Sequence, residues 1–121
     1  MNPKESNIVF GSEEDLKDLV ISILDQHKAT NIVTINISNI SNLAKYLIIV
    51  SGQSNYHVKS LAEKVRKAIK PYEKVSIEGL KEGNWVIASF HNILVHIFRP
   101  EVREYYQLES LWHGQVLDQK S

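Results

Sequence analysis

Two apolar segments joined by two polar residues decide the fold of this chain: Trp85-Val-Ile-Ala-Ser-Phe90, then His91-Asn92, then Ile93-Leu-Val-His-Ile-Phe98. Both segments are rich in β-branched and aromatic residues, which favour strands, and a two-residue connection is typical of a tight hairpin. Apolar residues occupy both alternating positions of the second segment. We therefore expect this second strand to lie in the centre of a sheet, covered on both faces.

Three further segments predict strands, which brings the expected sheet to five. Ile32-Val-Thr-Ile-Asn-Ile37 is β-branched, and Tyr46-Leu-Ile-Ile-Val50 is a continuous apolar run that is too short for a helix. The segment from Lys74 to Ile77 predicts an edge strand whose lysine discourages pairing with other chains.

Three helices are expected around this sheet. Ser12 precedes three acidic residues, which is typical of a capped helix start, and apolar residues then recur at three- and four-residue spacing. Ser54 can cap a second amphipathic helix that Pro71 ends, and Pro100 begins a short third one. The sequence therefore predicts a single α/β domain with a mixed five-stranded sheet packed with helices.

The composition excludes several classes of protein. The chain has 121 residues, of which 43% are hydrophobic, enough for the core of one domain. It has no cysteine, so disulfides and thiolate metal sites are excluded. It shows no signal-peptide pattern and no apolar run near the roughly 20 residues that cross a bilayer. We expect a cytoplasmic protein without membrane contact, with a domain at 12–112 between a flexible N-terminus at 1–11 and a polar tail at 113–121.

Charge is unevenly distributed although the formal net charge is zero. Acidic residues dominate the first predicted helix, and basic residues dominate the second helix and the segment after it. A solvated helix face is one interpretation of the basic run, and contact with RNA is the other. The basic residues concerned are Lys59, Lys64, Arg66, Lys67, Lys70 and Lys74.

Catalytic chemistry has weak support in the sequence. The turn Ser51-Gly-Gln-Ser54 lies between a strand and a helix, where backbone N–H groups can hold a phosphate, but a plain turn with a helix cap has the same pattern. Nucleotidyl transfer also needs paired carboxylates on a nearby strand, and the predicted strands contain none. His96, between apolar neighbours, fits a core histidine better than a catalytic one. We therefore predict no enzyme activity, no metal and no cofactor.

Aromatic residues are concentrated at and after the hairpin, and they allow two interpretations. They either pack in the core or form anchors on a partner surface, because tryptophan and tyrosine are favoured at interfaces. Trp112 is expected to pack against its own sheet. The residues that we predict to contact a partner are Trp85, Phe90, Phe98, Tyr105 and Tyr106.

An ordered set of matches, taken together, resembles the ribosomal silencing factor family, also known as Iojap-related proteins. The matches are Tyr46-Leu-Ile-Ile-Val-Ser-Gly-Gln-Ser54, Val58-Lys-Ser-Leu-Ala62, Trp85, Val95-His96, and Tyr106 with Leu108-Glu109 before Leu111-Trp112. They extend over most of the chain.

The resemblance implies a fold, a partner and a mechanism. The fold is nucleotidyltransferase-like without the catalytic carboxylates. The partner is the large ribosomal subunit, bound through its ribosomal protein numbered fourteen, and the bound protein sterically blocks joining of the small subunit and so represses translation. A ribosome-biogenesis or RNA-binding module with ribosomal RNA contacts, and a nucleotide-binding enzyme, are the alternatives. A homodimer, and an organelle instead of the bacterial cytoplasm, also remain open.

The chain departs from the family pattern at two places. It has Ala44-Lys45-Tyr46 where the family usually has an acid in the middle, and Ser89-Phe90-His91-Asn92 where the family has two acids and a glycine. Loss of glycine at a tight turn predicts a different turn geometry or a longer loop. Loss of the acids leaves open whether the hairpin contacts its partner in the same way.

Overall fold

A computed structural model describes residues 12–107 and the backbone of residues 115–120. The predicted N-terminal segment 1–11 and Trp112 lie outside the described residues. The elements follow the order α1 (Glu13–Gln26), β1 (Thr30–Asn36), β2 (Tyr46–Ser51), α2 (Asn55–Ile69), β3 (Ser76–Glu78), β4 (Trp85–Phe90), β5 (Ile93–Phe98), α3 (Pro100–Tyr106) and β6 (Gln115–Lys120).

One mixed sheet organises these elements. Its strand order is β3-β4-β5-β2-β1-β6, with β2 and β5 parallel and every other neighbouring pair antiparallel. The predicted α/β class is therefore confirmed. The three-residue strand β3 lies at one edge, close to its predicted place, and β5 and β2 lie in the centre.

In the part of the chain that the structure describes, the sheet has six strands, whereas the sequence predicts five. The additional strand, β6, pairs antiparallel with β1 and lies in the segment that the sequence predicts as a polar tail. Pairing at a sheet edge is made by backbone groups, so it requires no run of apolar side chains. Gln115-Val-Leu-Asp-Gln-Lys120 has no alternating apolar pattern, and for that reason the strand was missed.

A turn of two residues connects β4 and β5. Phe90 pairs with Ile93, so only His91 and Asn92 form the turn. His91 takes the positive φ of 47° that glycine adopts most readily. The expectation of a longer loop is therefore wrong, and the missing glycine is replaced by a strained histidine.

Helices α1 and α2 cover one face of the sheet and build the main core with it. Ser12 Oγ accepts a hydrogen bond from Asp15 N at 3.1 Å, and Ser54 Oγ accepts one from His57 N at 3.1 Å, as the predicted caps require. The buried residues of this core include Leu16, Val20, Leu24, Ile48, Val50, Val58, Leu61, Val65, Val86, Val95 and Ile97.

The opposite side, which we call the second face, carries a smaller cluster of buried residues. Val33, Ile35, Leu47, Ile49 and Phe98 lie there, and Trp85, Leu94 and Val102 pack against them half-buried. Every residue of β2 is buried, as predicted. The strand β5 is central, as predicted, but Leu94 and His96 are half-buried, so the second face covers β5 only in part.

Candidate functional site

An aromatic cluster forms where β4, β5 and α3 meet on the second face. Trp85 is paired in register with Phe98, and their rings stack with centroids 4.9 Å apart. The Tyr106 ring lies 5.0 Å from Trp85 and 4.9 Å from Tyr105. The aromatic cluster comprises Trp85, His96, Phe98, Tyr105 and Tyr106.

The predicted partner residues differ sharply in exposure. Tyr105 is 80% exposed, Tyr106 is 51% exposed, and Trp85 is half-buried. Phe98 is fully buried, and Phe90 is 4% exposed within the core under the helices. The structure therefore brings Trp85, Tyr105 and Tyr106 together on an accessible surface, whereas it places Phe90 and Phe98 where a partner cannot reach them.

Strand alternation explains why Phe90 was misplaced. Successive residues of a strand point to opposite faces, so Trp85 and Phe90, five positions apart, cannot share one. Phe98 does share the face of Trp85, but the stacked indole lies against it.

His96 is held by a hydrogen bond within the cluster. Trp85 Nε1 donates to His96 Nδ1 at 2.9 Å, which requires Nδ1 to be unprotonated. Burial lowers the pKa of His96 from 6.5 to about 4, so the ring is neutral at physiological pH. These contacts support the interpretation of His96 as a satisfied core histidine.

Three apolar residues that the sequence analysis did not single out extend the surface beyond the aromatic cluster. Ile87 and Leu94 share the face of Trp85 and are half-buried. Leu43, 75% exposed, lines a shallow groove at the hairpin end together with Leu94. Ile87 lies two positions after Trp85 in the same strand, so the sequence alone indicates that the two side chains share a face. We call Tyr105, Tyr106, Trp85, Ile87, Leu94 and Leu43 the apolar strip.

Arg103 anchors α3 over the second face. Its side chain is buried, and Nη1 donates to the Asn31 carbonyl oxygen at 2.7 Å and to Ser51 Oγ at 2.9 Å. These bonds hold the helix that carries Tyr105 and Tyr106 against the sheet. No sequence pattern marked this arginine, because its role depends on long-range packing.

The turn from Ser51 to Ser54 uses backbone N–H groups in hydrogen bonds within the chain. Gly52 N donates to the Phe98 carbonyl oxygen at 2.8 Å, and Gln53 N donates to His57 Nδ1 at 2.8 Å. A Cβ atom on Gly52 would lie 2.9 Å from Val58 Cγ2, so this backbone is closely packed. The turn is a helix cap, and its internally bonded N–H groups give no support to phosphate binding. Within the part of the chain that the structure describes, no group of three His, Cys, Asp or Glu residues could hold a metal ion.

The residues that depart from the family pattern contact acids within the chain. Lys45 Nζ lies 3.1 Å from Glu14 Oε2, and Asn92 Nδ2 donates to Glu13 Oε2 at 2.6 Å. His91 Nε2 lies 3.5 Å from Glu13 Oε2. Changes at both places are therefore accommodated by the first turn of α1.

Tyr46 completes this contact with α1. Its hydroxyl donates to Glu14 Oε2 at 2.6 Å. That bond, together with Lys45, lowers the pKa of the Glu14 carboxyl to about 2.

Comparison with known protein families shows which family the chain belongs to. The sequence model of a family described as "Ribosomal silencing factor during starvation" matches residues 11–121. The chain belongs to this family. The match extends over nearly the whole chain, so the resemblance seen in the sequence is confirmed.

Individual relatives agree with that membership. The chain is similar to the ribosomal silencing factor RsfS of Zymomonas mobilis, at 38% identity over 113 residues, which cover 92% of this chain and 84% of the relative. It is also similar to the mouse protein named mitochondrial assembly of ribosomal large subunit protein 1, at 32% identity over 85% of this chain and 47% of the relative.

A solved structure supports the fold of this family member. A crystal structure of a protein from Chromobacterium violaceum superposes with a TM-score of 0.82 at 31% identity, covering 89% of this chain and 92% of that one. The nucleotidyltransferase-like character of the fold stays a prediction.

No helix in the described residues is long and apolar enough to cross a membrane. Membership of the ribosomal silencing factor family gives the chain a role in ribosome silencing, which is regulatory.

Proposed function

We propose that the chain binds the large ribosomal subunit through its ribosomal protein numbered fourteen and prevents the small subunit from joining. Family membership supports the ribosome as partner, and the name of the mouse relative refers to assembly of the large ribosomal subunit. The observation that carries the proposal is the apolar strip, which presents three aromatic anchors on a sheet face that α1 and α2 leave uncovered.

The proposed mechanism is steric. A partner that occupies about 800 Å² of each surface forms an ordinary stable interface, and the subunit so covered cannot dock a second partner on the same area. Trp85, Tyr105 and Tyr106 are suitable anchors because tyrosine and tryptophan bury a large area with few rotatable bonds. The mechanism needs no cofactor, and the cytoplasm, where bacterial ribosomes work, is the proposed location.

The functional test is sedimentation of dissociated ribosomal subunits at a magnesium concentration that favours joining. We expect the protein to travel with the large subunit and to reduce the peak of joined ribosomes. A protein that stays at the top of the gradient while the subunits join normally would contradict the proposal.

The site test measures binding to purified ribosomal protein fourteen. The double variant Tyr105→Ala/Tyr106→Ala should weaken binding at least about tenfold, because hot-spot residues contribute about 2 kcal/mol or more each. Tyr56→Ala is the matched control, because Tyr56 is 81% exposed but lies on α2. Equal binding by the double variant and the control would remove the apolar strip as the site.

The same strip is the surface on which a homodimer would form. Light scattering on the wild-type chain and on the double variant measures the oligomeric state, which the sequence leaves open. A dimer that becomes a monomer in the variant would mean that self-association and ribosome binding compete for one surface.

A further inference from the structure

Two adjoining concave regions run along the outer side of α2, and together we call them the basic groove. They share Glu63 and Lys67. The first is also lined by Tyr56, Lys59, Ser60, Lys64 and Leu80, and the second by Arg66, Lys70, Lys74 and Val75. From Tyr56 to Lys70 the helix rises about 21 Å, so the basic groove is long enough for an extended ligand.

The charge of the basic groove is strongly positive. Among the described residues, six cationic side chains and a single carboxylate line it. That carboxylate, Glu63, is already bound by Arg66, whose Nη2 lies 2.8 Å from each of its oxygens. None of the five lysines of the lining forms a salt bridge within residues 12–107; they are Lys59, Lys64, Lys67, Lys70 and Lys74.

An aromatic residue stands at one end of the basic groove. Tyr56 is 81% exposed and has no part in either core cluster. An exposed ring next to a row of lysines offers a stacking platform beside phosphate-binding groups, which is the combination that single-stranded nucleic acid requires. An acidic peptide would use the lysines but would leave the ring without a function.

We propose that the basic groove binds a single-stranded segment of RNA, with phosphates on the lysines and a base stacked on Tyr56. If the proposed function is correct, ribosomal RNA beside the protein contact is the source of that segment, and in this respect the inference rests on it. Helix α2 packs on the face of the sheet opposite the apolar strip, so both surfaces can be occupied together.

The first test measures the affinity for a fluorescein-labelled oligouridine of about ten nucleotides while salt is varied. Four phosphate contacts predict a slope of log K against log salt of about −3, which is about a 50-fold loss of affinity between 50 and 200 mM. The variant Lys67→Gln/Lys70→Gln should halve the slope and lose only about sevenfold over the same range.

A charge-matched control separates the basic groove from net charge. Lys28→Glu also lowers the net charge by two, and Lys28 is exposed and outside the lining. We expect this variant to keep the wild-type slope. Equal slopes for the wild type and the double lysine variant, both shown by circular dichroism to be folded, would overturn the proposal.

Substitution of Tyr56 tests whether RNA binding requires base stacking as well as positive charge. Tyr56→Ala should weaken oligouridine binding at least about fivefold without changing the salt slope, and Tyr56→Phe should restore the binding. Unchanged affinity in Tyr56→Ala, or displacement of the RNA by polyglutamate as effectively as by unlabelled RNA, would contradict an RNA site and indicate an acidic-peptide surface.

Binding to purified ribosomal protein fourteen keeps the two proposals distinguishable. The double lysine variant should bind that protein normally while losing affinity for oligouridine. If the protein contact fails but the oligouridine results hold, the proposed function is wrong and the RNA site stands.

Discussion

At the scale of single residues, the hydrogen bond from Trp85 to His96 makes the aromatic cluster sensitive to pH. The bond needs an unprotonated Nδ1, and burial lowers the pKa of His96 to about 4 from 6.5. The unfolded chain therefore binds a proton more readily than the folded one. The stability from neutral His96 is complete above pH 6.5 and is lost as the pH falls from 6.5 to about 4.

We predict that this effect amounts to about 3 kcal/mol of unfolding free energy between pH 7 and pH 4. Urea denaturation of the wild type and of His96→Gln, which keeps an acceptor for the indole, measures it. The difference in unfolding free energy between the two proteins should shrink or reverse as the pH falls. A constant difference across this range would show that protonation of His96 is not coupled to folding.

Lys45 shows how one substitution can be balanced elsewhere in the chain. It stands where the resemblance leads us to expect an acid, and it lies beside Glu13 and Glu14. We predict that Lys45→Asp lowers the thermal denaturation midpoint, because it replaces attraction by repulsion next to two carboxylates, and that added salt reduces the difference. Lys28→Asp is the control. An unchanged midpoint in Lys45→Asp at low salt would contradict the balance described here.

At the scale of elements, β6 is the least expected part of the fold. It pairs with β1 in a register that runs from Ile32 opposite Lys120 to Asn36 opposite Gln115, so β1 has a second hydrogen-bonded neighbour. We predict that a chain without residues 115–121 exchanges the backbone amides of β1 roughly tenfold faster, because the β1 edge becomes open to solvent. Amides of β4 serve as the internal control, since that strand lies near the opposite edge of the sheet.

Hydrogen exchange read by mass spectrometry or NMR gives this comparison directly. Equal exchange of β1 amides in the full and shortened chains would mean that the pairing of β6 is too weak to protect its neighbour.

Much of the element order follows from periodicity, and the errors have specific physical causes. The continuous apolar runs of β2 and β5 predict central strands because only a strand covered on both faces can bury both parities. The same argument cannot find β6, which pairs through its backbone. Sequence reasoning has a similar limit at the site. Phe90 and Phe98 are suggested as anchors because they are aromatic, but the face of the strand and the packing around each side chain decide whether it is exposed.

At the scale of the whole molecule, a net charge of zero conceals two surfaces of different chemistry. The apolar strip lies on the second face, and the basic groove lies along α2 on the opposite side. We predict that saturating the chain with ribosomal protein fourteen changes its oligouridine affinity by less than about twofold, since the two surfaces lie on opposite faces of the sheet and approach each other at Lys74. Fluorescence anisotropy with both ligands measures the coupling, and mutual exclusion would mean that the two surfaces overlap.

The parallel pairing of β2 with β5 has a consequence for synthesis of the chain. Tyr46 pairs with Ile93, so the centre of the sheet joins two segments separated by a helix and two strands, and β1 receives its outer neighbour only from β6. A nascent chain folds from its N-terminus as it emerges, and until β4, β5 and α3 have emerged it has no assembled second face. In the proposed function, an unfinished copy therefore cannot bind the ribosome that is producing it until β4, β5 and α3 have emerged and folded.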